Sequence, residues 1–280
     1  MITDGLTQGR VQLSGWFLGE DRDTPYDGGS ETPNPLNERT RVRVWLLTAD
    51  VRLRASSGLQ VTATVPDVTR SAFVGDVRFR ETFKGLGDMS AIAWHHRVIG
   101  GWNVTFNAGT SLPTGRTERP RFREELEDDS LVPISRLQRG SGTFDPLLGV
   151  SVNRNYSAIF PPGTRLFAAA ALRLPVTENE HGLRTGAASE ISAGASRELF
   201  SHNLTVLARL SWLHRARDVF AGTPVLVGGG DWLYLAPGAA FTIGDVTIQA
   251  EVRVPLHRSL ANRQLDSSHA FQLGVVWAAF

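Results

Sequence analysis

Asn103, Asn107, Asp145, Arg165, Arg173, Glu190, Arg209, Glu251 and Arg253 are the side chains through which this 280-residue chain could do chemistry. Each stands on the polar side of a segment whose alternate residues are apolar. Carboxylates, guanidiniums and amides in one row can bind or pass a small polar or amphipathic solute. They can equally pair off among themselves into a structural network. Buried charges need partners in both cases, so residue types leave the two readings open. Other chemistry is thinner. The chain has no cysteine, which excludes thiolate metal sites, thiol catalysis and disulfides. His95 and His96 are adjacent, and neighbours in a strand diverge, so they cannot share a metal or a proton. Asp21, Asp23 and Asp27 sit in a Pro- and Gly-rich stretch, but their order is not that of a calcium loop. No metal, cofactor or catalytic residue is expected.

Strands must position these groups. Residues 246–256 read V-T-I-Q-A-E-V-R-V-P-L, with every even position apolar and Thr247, Gln249, Glu251 and Arg253 between them. A period of two sustained over this length is a strand with one greasy and one wet face. The pattern recurs. In residues 102–113, Trp102, Val104, Phe106, Ala108 and Leu112 oppose Asn103, Thr105, Asn107 and Ser111. In residues 203–214, Leu204, Val206, Ala208, Leu210 and Trp212 oppose Thr205, Arg209 and Ser211. Two-faced strands of about ten residues, repeated along a chain, are the mark of an outer-membrane β-barrel. The greasy face meets lipid and the wet face lines a lumen.

About twelve such segments can be placed, an even number, as a barrel with both ends on the periplasmic side requires. Turns near 55, 99, 158, 200 and 244 are mostly short. The stretches 20–38, 66–85, 114–141, 175–183, 215–230 and 257–266 are mostly longer loops. Two soluble sandwiches could also supply twelve strands, but they would not alternate short and long connections. Within this frame the second strand, 41–54, slips phase between Leu46 and Leu47, which predicts a bulge. The third is expected to stop at Pro66, and the portion V-G-D-V-R-F-R to extend a hairpin above the membrane. Trp16, Trp102, Trp212, Trp232 and Trp277 are expected at strand ends as aromatic girdles.

Bulk properties agree. The formal charge of +1 gives no nucleic-acid footprint. Lys84 is the lone lysine; the other basic side chains are arginines, whose planar fork suits lumen ion pairs and lipid phosphates. No run of about 18 apolar residues exists to form a transmembrane helix. Met1-Ile2-Thr3-Asp4 does not open a signal peptide, so the chain is expected to be a mature form.

A family resemblance follows from short motifs in order. Gly85-Leu86-Gly87-Asp88 precedes a strand, and Ser111-Leu112-Pro113-Thr114-Gly115 ends the next. Gly140-Ser141-Gly142-Thr143 opens another, and Ala236-Pro237-Gly238 is followed by Val254-Pro255-Leu256. Over roughly residues 40–280 the chain resembles the outer-membrane proteins grouped under the meta-pathway of phenol degradation. The resemblance implies a lone barrel, in some members found near aromatic-catabolism genes and often described as a transporter. It implies no catalytic residues. One departure is that Phe271, Leu273, Val275 and Trp277 share a phase that Phe280 misses by one step, which a bulge near Ala278-Ala279 would reconcile.

Two competing readings rest on particular residues. Val152-Asn153-Arg154-Asn155-Tyr156 faintly resembles a segment of outer-membrane phospholipase A, but no His-x-Ser in the adjoining strand supplies a base and nucleophile. In the 114–141 loop, Arg116, Arg119, Arg121 and Arg123 precede Glu124, Glu125, Glu127, Asp128 and Asp129. Such a loop could hold a surface partner, though internal charge pairing explains it as well. The sequence thus predicts one domain over residues 1–280, an all-β, transmembrane, up-and-down antiparallel barrel. It is expected as a monomer in a Gram-negative outer membrane. Expected partners are the lipid bilayer, lipopolysaccharide and the barrel-assembly machinery, and the cargo a small solute, hydrophobic or aromatic ones included. A plugged barrel without transport is the alternative.

Overall fold

The computed structural model describes residues 11–74, 76–117, 139–155, 161–199, 203–225 and 228–279. Twelve strands close into an antiparallel barrel. They are β1 (Val11–Arg22), β2 (Arg39–Arg54), β3 (Ser57–Val74), β4 (Met89–Ile99), β5 (Trp102–Leu112), β6 (Asp145–Asn155), β7 (Thr164–Arg173), β8 (Ala188–Leu199), β9 (Leu204–Arg215), β10 (Gly230–Ile243), β11 (Val246–Asp266) and β12 (Ala270–Ala278). Every strand pairs with its sequence neighbours, and β12 closes the ring on β1 from Gln12–Ala278 to Glu20–Ala270. Closure leaves no membrane-level edge with unpaired backbone, the condition for crossing lipid with strands. No described helix is long and apolar enough to cross a membrane.

The outer face is greasy by residue type and by position. Leu47, Phe106, Leu148, Ile191, Leu210 and Leu273 all point outward and are exposed. At the rim Phe17 packs between Trp45 and Phe271, with ring centroids 4.5 and 5.5 Å away. Near the opposite rim Arg154 lies 5.8 Å over the Trp102 ring. Two of the predicted girdle residues do something else. Trp16 is only 3% exposed and lies inside, flat against Gly274 on the paired strand. A Cβ at position 274 would come within 2.2 Å of the indole. Trp232 is also buried and donates its indole N–H to Asp266 at 3.0 Å. Gly274→Val is therefore expected to lower the folded fraction sharply, because overpacking here has to push a whole indole aside. Heat-modifiable gel mobility after refolding measures it.

Three connections differ from expectation. No bulge occurs at Leu46–Leu47; β2 keeps one register from Arg39 to Arg52, and the shift falls between Arg52 and Arg54. Leu47 faces lipid while Leu46 lines the lumen, so the phase slip in the sequence reflects a lumen wall that is itself partly apolar. Strand β3 does not stop at Pro66. It pairs with β4 through Ala63 and then with an added hairpin strand, Val77–Lys84, from Asp67 onward. Pro66 sits in the gap between these partners. Its carbonyl accepts the Gly85 N–H at 3.2 Å, and that edge is where its missing N–H would point, so no ladder bond is lost. The hairpin extension itself is as predicted.

The stretch 257–266 is not a loop, because β11 runs on to Asp266 and takes Thr24–Gly28 as a partner beyond Leu260. Outside the membrane both faces of a strand are wet, so alternation disappears although pairing persists. The Asp21 carboxylate at this rim is held by Arg39 and Arg41. Partial burial pulls its pKa up, but the two guanidiniums outweigh burial and hold it below the ordinary 3.8. Among the described residues no group of acids or histidines is arranged to hold a metal. Phe280 and most of the 114–141 charge run lie outside the described residues.

Candidate functional site

Alternation sets which side chains reach the lumen. On β7 the odd positions do, on β8 the even ones, and on β9 the odd ones again, because Arg173 is opposite Ala188 and Glu190 opposite Leu213. Asn107, Arg173, Glu190 and Arg209 come together on the wall of a chamber of about 420 Å³. The chamber runs obliquely across the barrel from β9 to β2. Its walls alternate apolar surface, including Leu46, Ile92, Trp94 and Leu213, with Thr48, Gln60, Thr62 and Ser192.

The other sequence candidates lie around it. Asp145 is fully buried and ion-paired with Arg173, while the Thr143 hydroxyl donates to its second oxygen at 2.7 Å. Glu251 pairs with Arg209, both under one-tenth exposed, and Arg253 approaches the same carboxylate at 3.6 Å. A buried carboxylate between guanidiniums meets the requirement that desolvated charges be paired. Asn103 donates to Asn153 at 3.1 Å and Arg165 to Asn155 at 3.2 Å, both toward the short-turn end. Glu190 has no ion-pair or hydrogen-bond partner among the described residues.

A second cavity of about 390 Å³ opens above the chamber, lined by Val42, Val68, Asp88, Arg139, Ser141 and Arg215 among others. Leu147 and Arg173 border both cavities. Loop segments fold over this mouth. Asp88 accepts the Gly115 N–H at 3.1 Å and both the Ser141 N–H and hydroxyl at 2.7 Å. Asp218 accepts the Gly186 N–H at 2.7 Å, and Leu183 between these segments is fully buried.

Sequence reading missed several lumen groups. Asp50 accepts the Trp94 indole N–H at 3.0 Å and both line the chamber. Gln60 and Thr62 stood in a clean alternation and were legible there. His96 faces the lumen beside Thr105, at 3.4 Å, whereas His95 bonds Ser57 on the opposite face at 2.8 Å. The two rings therefore share nothing.

No family model matches the chain, and no curated protein matches it either. Solved structures do. The chain is similar to an outer membrane channel from Pseudomonas putida F1, with 12% identity, a TM-score of 0.72 and 99% of each chain covered. The transport unit of the autotransporter AIDA-I from Escherichia coli matches with a TM-score of 0.54 at 12% identity, over 100% of this chain and 93% of that one. The translocator domain of the autotransporter NalP from Neisseria meningitidis matches with a TM-score of 0.51 at 13% identity, over 99% and 90%. At such identities the likeness establishes architecture. The fold is that of an outer-membrane β-barrel, shared with a channel and with translocator units.

Proposed function

We propose that this barrel is a passive outer-membrane channel for small solutes with apolar or aromatic bodies. The observation that carries it is the pair of lumen cavities meeting at Leu147 and Arg173. Together they describe an interrupted route from the loop-covered mouth toward the short-turn end. Walls that mix leucine, isoleucine and tryptophan with hydroxyls suit an amphipathic solute better than a bare ion. The resemblance to proteins associated with phenol degradation points the same way. Lipopolysaccharide contact and delivery by the barrel-assembly machinery belong to the same proposal.

One observation favours a second reading. The loop segments at the mouth are densely hydrogen-bonded, with Thr143, Asp145 and Leu183 fully buried, as in a plugged barrel. Single-channel recording of the refolded protein in a planar bilayer separates the two. Discrete conductance steps support the channel. Confirmed insertion without steps supports the plug. Under the channel reading, the double variant Arg173→Ala, Asp145→Asn is expected to raise unit conductance clearly. It removes the side chain between the cavities without leaving a buried charge unpaired, and asparagine still accepts the Thr143 hydroxyl. Unchanged conductance would show that the narrowest point lies elsewhere.

A further inference from the structure

We propose that the chamber holds a specific site for a protonated amine on a small apolar body, with Glu190 as its counter-charge. The inference rests on the channel reading for the solute's size and adds its head group. Charge counting around Arg173 is the starting point. Arg173 stands between two carboxylates, Asp145 on one side and Glu190 diagonally across on the other. It pairs with Asp145, which is fully buried and fixed by Thr143. One guanidinium cannot neutralise two carboxylates, so the trio keeps a net negative charge whichever way Arg173 leans. The next cations along the wall are committed elsewhere: Arg215, diagonally across from Glu190 on β9, pairs with Asp218 at 3.2 Å, and Arg209 pairs with Glu251.

The immediate lumen-face neighbours of Glu190 are Ala171 and Leu213 across the ladder, and Ala188 and Ser192 along its own strand. None is a cation. Apolar flanks raise the cost of an unpaired carboxylate and strengthen its attraction for a donor. A ligand ammonium would supply both the missing charge and the missing hydrogen bonds. Ala169, Ala171 and Leu213 beside it leave a smooth apolar surface for the ligand's body, within a volume of about 420 Å³. Anionic solutes are disfavoured at the same place by like charge.

The test is isothermal titration of the protein in nanodiscs of zwitterionic lipid, with empty nanodiscs as the blank. Phenethylammonium, phenethyl alcohol and phenylacetate serve as cationic, neutral and anionic probes of one shape. The expected result is phenethylammonium binding at least about tenfold tighter than the alcohol, the worth of one charge-assisted hydrogen bond, and phenylacetate weakest. Glu190→Gln is isosteric and should erase the preference for the ammonium over the alcohol. Equal affinities in the wild-type protein, or a preference that survives Glu190→Gln, would overturn the assignment, and the wild-type comparison stands even if the variant folds poorly. Bilayer recording of the same preparation keeps the two proposals apart. Ammonium preference in a silent barrel would remove the channel and keep the site. Conductance without ammonium preference would do the reverse.

Discussion

Glu251→Ala is expected to lower the unfolding free energy by about 3–5 kcal/mol, the usual cost of removing one partner from a buried ion pair. Arg209 would be left under one-tenth exposed with its charge facing no carboxylate. Arg253, already 3.6 Å from Glu251, would lose its partner in the same step and repel Arg209. Equilibrium guanidinium unfolding in lipid vesicles measures the loss. The cost belongs to the orphaned charge and not to the pair as such. The double variant Arg209→Met, Glu251→Leu should therefore recover most of the stability, since apolar replacement of a buried pair is often neutral or better. A loss under about 1 kcal/mol for Glu251→Ala would mean that water reaches Arg209 freely, placing the pair in the exposed class.

The second large effect lies on the opposite face. Leu210 is in the middle of β9, exposed, and flanked by Ala193 and Leu235 on the neighbouring strands. Leu210→Arg is expected to cost about 2–4 kcal/mol in vesicles, because the guanidinium must sit near the bilayer midplane. Ile243→Arg is the control. Ile243 is equally apolar and outward, but ends β10 beside the Gly244 turn. There the cost should fall to about 0–1 kcal/mol. Equal costs at the two depths would contradict a membrane-spanning belt at this position.

These contrasts explain what the sequence made legible. Wherever one face meets lipid and the other meets polar lumen, residue type repeats with a period of two, and the strand and its facing can be read directly. Glu251 and Arg209 were assigned to the lumen on that basis. The signal fails in two places for physical reasons. Where the lumen wall is apolar, as at Leu46, both faces look greasy and the pattern mimics a bulge. Where a strand rises out of the membrane, as in residues 257–266, both faces are polar and the pattern mimics a loop. Tryptophan is ambiguous for a related reason. Trp16 and Trp232 carry the same residue type as the rim tryptophans, and only the glycine opposite one and the aspartate beside the other put them inside. The pairing of Arg173 with Asp145 in place of Glu190 was not legible, because two carboxylates on flanking strands compete for one cation and backbone register decides between them.

The seam between β1 and β12 carries a consequence for how the molecule comes into being. Strands near the two ends of the chain are direct neighbours, with Val11 accepting the Ala279 N–H at 2.8 Å. Apart from the Thr24–Gly28 segment, which extends the same seam along β11, every other pairing among the twelve barrel strands joins strands adjacent in sequence, so eleven hairpin-like steps can form locally and the seam cannot. That last step joins segments separated by nearly the whole polypeptide, and such distant pairings are the slow ones. Until it forms, both margins of the growing sheet present bare N–H and C=O groups that hydrocarbon cannot satisfy. A partly zipped sheet is thus unfit for the bilayer, and insertion and seam closure have to be completed as one cooperative event.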